Sequence, residues 1–368
     1  MRAQNSHALG RFHPSPLVPL PVEGRGKLAL VNVRSLAFCY WFVALVSIGL
    51  LCRAATLSEQ FNTDPRARGW GNSGDTNLFR WNATNQNLEV TWDSSRTNSF
   101  FHWPLGTIVT KSDDFSLAFD LRLRDITIGT SSNRPDTFEI AIGFMNSTNL
   151  TRANYFRGAG VSATYGVRNT LEFDYFPPTA VIQPTFAPTA ISSNNVIKFS
   201  DNRVLMTTND LFRIAMTYTA SNQTLKTTVT RNGVPYGEPP SNTLKDLVLT
   251  THPDFRVDRL AIMNYNDAIQ VGPPQFWGSI LAHGTVDNIV TTVPDSAVMS
   301  LTGTRSNGTW RATFVSKTNW FYVLERTTDF ASWNGVSATN SGTGGIILLE
   351  EANAPTGEAF YRVRARRQ

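Results

Sequence analysis

The feature that most constrains this chain is a run of strict two-residue alternation between Leu211 and Gly237. Phe212, Ile214, Met216 and Tyr218 alternate with Arg213, Ala215, Thr217 and Thr219, so an extended chain here has one apolar and one polar face. A polar stretch, Ala220 to Gln223, is followed by a second alternation of Leu225, Thr227 and Val229 with Lys226, Thr228 and Thr230. The run ends at Asn232–Gly233, the dipeptide best suited to the positive φ angles of a tight turn. Two strands and both of their turns are thus predicted in one continuous segment.

The same period recurs along the chain. Phe115, Leu117, Phe119, Leu121 and Leu123 form one face of a predicted strand, with Ser116, Asp120, Arg122 and Arg124 on the other. Leu88, Val90 and Trp92 form a third such face, and Phe138, Ile140, Ile142 and Phe144 a fourth, set against Glu139, Ala141 and Gly143. Asn98–Trp103 reads as a short aromatic strand stopped by Pro104, and Thr170–Phe176 as another. No stretch has a convincing helical period, so the chain reads as an all-β sandwich.

The N-terminal 54 residues read as a leader. Leu36–Leu51 is a 16-residue run without charge, preceded by Arg25, Lys27 and Arg34 and followed by the small residues Ala54 and Ala55. It is short for a membrane span, which needs about 20 apolar residues, and it has the order of a signal peptide with a long n-region. Removing it changes the charge. Six of the 33 Lys and Arg and one of the 28 Asp and Glu precede Ala55, leaving 27 of each. The remaining chain is neutral, which argues against nucleic acid as a partner and leaves no stable membrane span after cleavage. One basic cluster survives, Arg362, Arg364, Arg366 and Arg367, and its alternation with Tyr361 and Val363 predicts the solvent face of a last strand. Both cysteines, Cys39 and Cys52, lie in the leader, so the secreted chain must hold by its core alone. Its roughly 310 residues suffice for that, since chains of this size bury about three quarters of their unfolded surface.

Two domains are expected. The hairpin at 211–237 resembles those of laminin-G-like and concanavalin-A-like jelly-roll sandwiches, and the phrase Gly284-Thr-Val-Asp-Asn-Ile289 resembles their closing strand. That resemblance places a sandwich domain at 56–294. After a linker at 295–300, residues 301–368 carry Trp320-Phe-Tyr-Val-Leu-Glu-Arg326, Thr327-Thr-Asp-Phe-Ala-Ser-Trp333 and a final Phe360-Tyr-Arg-Val363. These are similar to a small C-terminal β-module of secreted proteins of environmental bacteria, which implies an immunoglobulin-like or fibronectin-like sandwich and no chemistry of its own. Secretion, or attachment to the cell surface or periplasm of a bacterium, is the localisation this implies. The Asn-x-Ser/Thr sequons at Asn82, Asn146, Asn149, Asn222 and Asn307 then read as ordinary polar turns.

The candidate chemistry centres on Glu172 and Asp174, which share one face of an extended strand. Laminarinase-type endoglucanases carry Glu-x-Asp-x-(x)-Glu there, because retaining hydrolysis needs two carboxylates about 5 Å apart. Here Phe176 and Pro177 occupy the place of the last Glu, so the chain leans away from catalysis, unless Glu139 supplies the missing group. Legume-type lectins carry a similar Glu-Phe-Asp phrase that holds metals, completed by Asn, Asp and His. Residues 175–190 contain none of these, so no cofactor is expected and calcium lacks a ligand motif. The resemblance therefore implies a non-catalytic, lectin-like binder of extracellular polysaccharide or a surface glycan. Glu172, Asp174 and Glu139 are the hydroxyl acceptors, and Trp103 or Trp70 the stacking platform. Two alternatives are a glycan-cleaving enzyme on the same sandwich and a structural or adhesive surface protein, which would present a flat face without exposed Trp. The oligomeric state is not encoded in any motif.

Overall fold

The computed structural model describes residues 54–130, 139–151, 167–179, 183–237, 244–266 and 279–367. These lie in one compact unit, 51–368. Among them the only helical pieces are short 3-10 turns, at Pro65–Arg68, Thr76–Leu78 and Ser147–Asn149, and the rest is strand and connection. No helix among the described residues is long and apolar enough to cross a membrane.

Two antiparallel sheets face each other as a β-sandwich. The first, of nine strands, runs in the order Val234–Pro235, Thr224–Arg231, Phe212–Thr219, Phe115–Ile128, Ile280–Pro294, Asn87–Asp93 and Phe79–Asn82. Ala54–Glu59 also pairs with Ile280–Pro294, and Leu247–Val248 with Thr224–Arg231. The second, of eight, runs Ile197–Phe199, Thr185–Ile191, Thr170–Phe176, Ile140–Met145, Val257–Asn264, Ser99–Val109 and Gly71–Ser73, with Asn202–Arg203 beside Thr185–Ile191.

The predicted hairpin is present. Phe212 pairs with Arg231 and Thr219 with Thr224, and Asn232 and Gly233 take φ of 50° and 81°. Among the described residues the apolar faces read from the sequence turn inward; Phe138 lies outside them. Phe115, Leu117, Phe119, Leu121 and Leu123 from the first sheet meet Ile142, Phe144, Leu171, Phe173 and Leu260 from the second in one core. Each such side chain contributes roughly 1.5–3 kcal/mol by leaving water, which is how a chain without a disulfide in its sandwich stays folded.

The second sheet departs from the alternation. Every residue of Ile140–Met145, and Thr170–Tyr175 of the next strand, is buried, so this sheet is covered on both faces. A second cluster of Phe100, Ala141, Met145, Val167, Ile191, Ala261, Met263 and Tyr265 lies on the side away from the core.

Beyond Pro294 two small sheets follow. One holds Met299–Ser306, Thr309–Val315 and Ile346–Glu351; the other holds Trp320–Thr327 between Asn334–Gly335, Asn340–Ser341 and Phe360–Arg367. The first of these strands begins at Met299, inside the segment read as linker. Phe314, Trp320, Tyr322, Leu324 and Leu349 form the core between the sheets, and the Tyr322 hydroxyl donates to the Ala297 carbonyl at 2.7 Å. Trp333 lies outside this core, partly exposed, with the Arg362 guanidinium 4.1 Å from its ring centre. The four arginines also divide. Arg362, Arg364 and Arg366 are exposed as expected, whereas Arg367 turns the other way. Its guanidinium donates to the Asp113 carboxylate and, at 2.9 Å, to the Ile108 carbonyl of the large sandwich. The odd parity of Arg367 against Arg366 is the physical reason: adjacent residues on a strand point to opposite faces.

His252, beside the corner where Lys111 Nζ donates to its carbonyl at 2.5 Å, is buried. Burial first, then the nearby Lys111 and Lys198, outweighing Asp254, push its imidazole down to about 4. The native state therefore resists protonation that the unfolded chain accepts near 6.5, and stability falls as pH drops from 6.5 to 4. Urea titrations of the protein and of His252→Gln across that window test this: the variant loses less stability on acidification, by on the order of 3 kcal/mol. Parallel losses in the two proteins would contradict it.

Candidate functional site

The face of the second sheet that looks away from the core carries the predicted carboxylates. Glu172 and Asp174 are two residues apart on Thr170–Phe176 and so share a face, roughly 7 Å apart along the strand. Glu172 lies opposite Gly143 on one side and Thr189 on the other; Asp174 lies opposite Ala141 and Ala187. One strand further, Gly143 and Ala141 face Ala261 and Met263, which in turn face His102 and Phe100. The face is therefore a trough floored by Gly and Ala, with the carboxylates on one flank and His102 on the other. Glu139 continues the alternation of Ala141 and Gly143 to the same face.

The small floor is enforced by packing. A Cβ on Gly143 would stand 2.3 Å from the Leu171 carbonyl oxygen and 2.5 Å from Glu172 Cα. Over the floor the Tyr265 hydroxyl donates to Glu172 Oε2 at 2.7 Å and lies 2.8 Å from Met263 Sδ, its ring edge-on to Phe100 at 6.3 Å. Glu172 and Asp174 are fully withdrawn from solvent and Glu139 nearly so. In such surroundings a hydrogen bond to a carboxylate is strong, and the geometry of the group is fixed by its partners. Burial first, then Arg259, partly offset by Asp258, pushes the His102 imidazole below its usual range, and its Nε2 lies 3.3 Å from the Ser73 hydroxyl.

The two tryptophans do not join this face. Trp70 is buried against the core, stacked on Phe101 at 4.9 Å and 8°, and its indole N–H donates to Glu59 Oε2 at 3.0 Å. Trp103 lies opposite Leu260, on the core side of the sheet, and its indole N–H reaches the Arg68 carbonyl at 3.3 Å. Both rings are therefore packing elements of the corner where the chain enters the sandwich. Gly69 marks a turn, but Pro104 does not stop its strand, which runs on from Ser99 to Val109, and the sequence alone did not show which side of the strand the rings would take. Tyr265 is the residue that sequence reasoning missed. Its alternation with Ala261 and Met263 was readable, but its reach back to Glu172 depends on pairing three strands distant in sequence.

Among the described residues no group of three or more His, Cys, Asp or Glu side chains gathers closely enough to hold a metal ion. The three carboxylates share a face without forming such a cluster.

No family model matches the chain, and no curated protein does either. Among solved structures it is similar to legume lectins, in each case over 66% of its length. Peanut lectin with a nine-residue peptide is 14% identical, with all of that chain covered, at a TM-score of 0.41. Winged bean acidic lectin with methyl-α-D-galactose is 9% identical over 99% of that chain at 0.39. Lectin I of Ulex europaeus with the methyl glycoside of α-L-fucose is 12% identical over 98% at 0.40. At these values the likeness assigns no ligand to this chain.

A polar cleft of about 340 Å³ lies on the first sheet, lined by Ser58, Gln60, Asp120, Arg213, Asn288 and Val290. Arg213 donates to Asp120 at 3.1 Å and to the Asn288 carbonyl at 2.6 Å, while the Asn288 amide donates to Asp120 at 2.7 Å. The cleft sits where the pairing of Ile280–Pro294 slips between Asp287 and Val290 and Asn288 takes a φ of 47°. Its polar groups largely satisfy one another.

Replacing Gly143 with Ala tests the trough floor. The added methyl has no space, so Gly143→Ala lowers unfolding stability by about 1–3 kcal/mol in urea. Gly357→Ala, where a Cβ meets nothing within 4 Å, is near neutral. Equal effects at the two positions would show that the floor is not tightly packed.

Proposed function

We propose that this protein is a secreted, non-catalytic glycan-binding protein of a bacterial surface or its surroundings, recognising extracellular polysaccharide or a surface glycan. The observation that carries the reading is the convergence of Glu172, Asp174 and the Tyr265 hydroxyl on one outward face of the second sheet, above a floor of Gly143, Ala141 and Ala261. Carboxylates fixed by neighbouring donors are the groups that accept from sugar hydroxyls with defined direction. Glu172 and Asp174 are the proposed acceptors. Glu139 flanks them, and neither Trp70 nor Trp103 takes part. Cleavage is disfavoured because the strand ends in Phe176 and Pro177 where a retaining glucanase places its acid.

A second reading draws on a different observation, the complete burial of Glu172 and Asp174. Buried carboxylates bonded within the protein also serve to order a sheet. On that reading the chain is a structural or adhesive surface protein without a small-ligand site. Fold does not choose between the two, since one sandwich hosts both.

Affinity electrophoresis in gels containing neutral polysaccharides, paired with a reducing-sugar assay, separates them. The glycan-binding reading predicts retardation without sugar release, lost at least tenfold in a Glu172→Gln, Asp174→Asn double variant that remains folded by circular dichroism. Absence of retardation, with the double variant lowering the melting temperature alone, supports the structural reading. Release of reducing sugar overturns both in favour of an enzyme.

A further inference from the structure

The C-terminal module presents a surface that the sandwich site does not use. Phe330 has a φ of 58°, in the left-handed region that bulky side chains avoid, and its ring is 60% exposed. The loop holding it there is built for the purpose. The Thr327 hydroxyl accepts from the amides of Asp329 and Phe330, at 3.2 and 3.0 Å, and the Asp329 carboxylate accepts from those of Ala331 and Ser332, both at 2.9 Å. These bonds hold Asp329 below the usual carboxylate range, the Ser332 amide foremost. The Phe330 ring rests on Phe360, itself 40% exposed, with ring centres 4.0 Å apart, and edge-on to Trp333 at 6.3 Å. Strain of this kind persists only where surrounding structure enforces it, and here it turns an aromatic ring outward to water rather than into the core.

Cations continue the stripe. Phe360, Arg362, Arg364 and Arg366 alternate on the exposed face of one strand, so their side chains emerge roughly 7 Å apart. Arg362 lies over Trp333 at 4.1 Å and Arg366 over Phe321 at 5.8 Å. Beneath them Glu325 is buried and shared, by Arg362 at 2.7 Å and Arg364 at 2.5 Å. Three arginines against one buried carboxylate leave a net positive stripe that ends in an aromatic shelf.

We propose that this stripe is a second binding surface, for an acidic polysaccharide: the aromatic shelf of Phe330, Phe360 and Trp333 stacks against sugar rings while Arg362, Arg364 and Arg366 pair with uronate or sulfate groups. Rings take the apolar faces of pyranoses, and a guanidinium matches a carboxylate or sulfate in two parallel hydrogen bonds. Double-stranded DNA fits less well. It carries one charge per roughly 1.7 Å and is held by many phosphate contacts, whereas this stripe offers three guanidinium groups, two already engaged by Glu325. The surface lies on different residues from the carboxylate trough, so binding here stands or falls independently of binding there.

The test uses residues 51–368 in native gels containing polygalacturonate, its fully methyl-esterified form, or poly(dT). Two variants are chosen to keep the fold. Phe330→Gly suits the positive φ and removes the ring, and Arg366→Gln removes a cation that no carboxylate relies on. The proposal predicts retardation by polygalacturonate at least tenfold stronger than by its methyl ester or by poly(dT). It also predicts a loss of fivefold or more in each variant, with an unchanged or raised melting temperature for Phe330→Gly. Equal retardation by the ester, stronger retardation by poly(dT), or unaltered binding in both variants would overturn it, the second in favour of a nucleic-acid surface.

Discussion

The sandwich depends on the pairing of one strand, Ile280–Pro294. At 15 residues it is among the longest in the molecule, and it runs beside Phe115–Ile128 from Ile280 opposite Ile128 to Thr292 opposite Ser116. Its other edge serves two partners in turn, Asn87–Asp93 for the first half and Ala54–Glu59 for the second. The two register slips along it allow that exchange, because a bulge bends and twists a strand away from one neighbour. Gly284 sits at the first slip, where a Cβ would stand 2.6 Å from the Arg122 carbonyl oxygen. The strand that ends the sandwich thus closes its beginning, which makes the first sheet a long-range structure that cannot form piecemeal.

The second sheet obeys a different constraint. A sheet with one face on a core and the other in water reads as clean alternation, and the first sheet does so. The second carries Ala141, Gly143, Ala261 and Met263 on its outward face together with carboxylates, and all of them are buried. Small side chains and acids in one buried row are costly to place without partners, so each must be fixed by specific contacts such as the Tyr265 hydroxyl on Glu172. That requirement makes the face a place where geometry is determined closely, whether its use is to meet a sugar or to order the sheet.

The fold was legible in the sequence wherever one face of a strand meets water, because a period of two records the difference between core and solvent. The Phe212–Tyr218, Phe115–Leu123 and Leu88–Trp92 faces were read in this way, and all turn inward. The acids of Thr170–Phe176 were legible as a same-face pair, since alternation alone fixes that. Their burial was not, because a strand covered on both sides carries no contrast for periodicity to report. The positions of Trp70 and Trp103 were hidden for another reason: Trp70 follows a turn and Trp103 precedes a proline within its strand, and the side each ring takes depends on tertiary contact with Phe101 or Leu260. Arg367 was misread within a cluster whose other members point outward, since its partner Asp113 lies in a distant part of the chain.

The account places sugar recognition on the outward face of the second sheet, with the module as a separate surface. The most direct measurement is a crystal structure of residues 51–368 grown with an oligosaccharide from whichever neutral polysaccharide retards the protein. The account predicts sugar hydroxyls within hydrogen-bond distance of the Glu172 and Asp174 carboxylates, above Gly143 and Ala261. A sugar seated elsewhere, with both carboxylates bonded only within the protein, would contradict it.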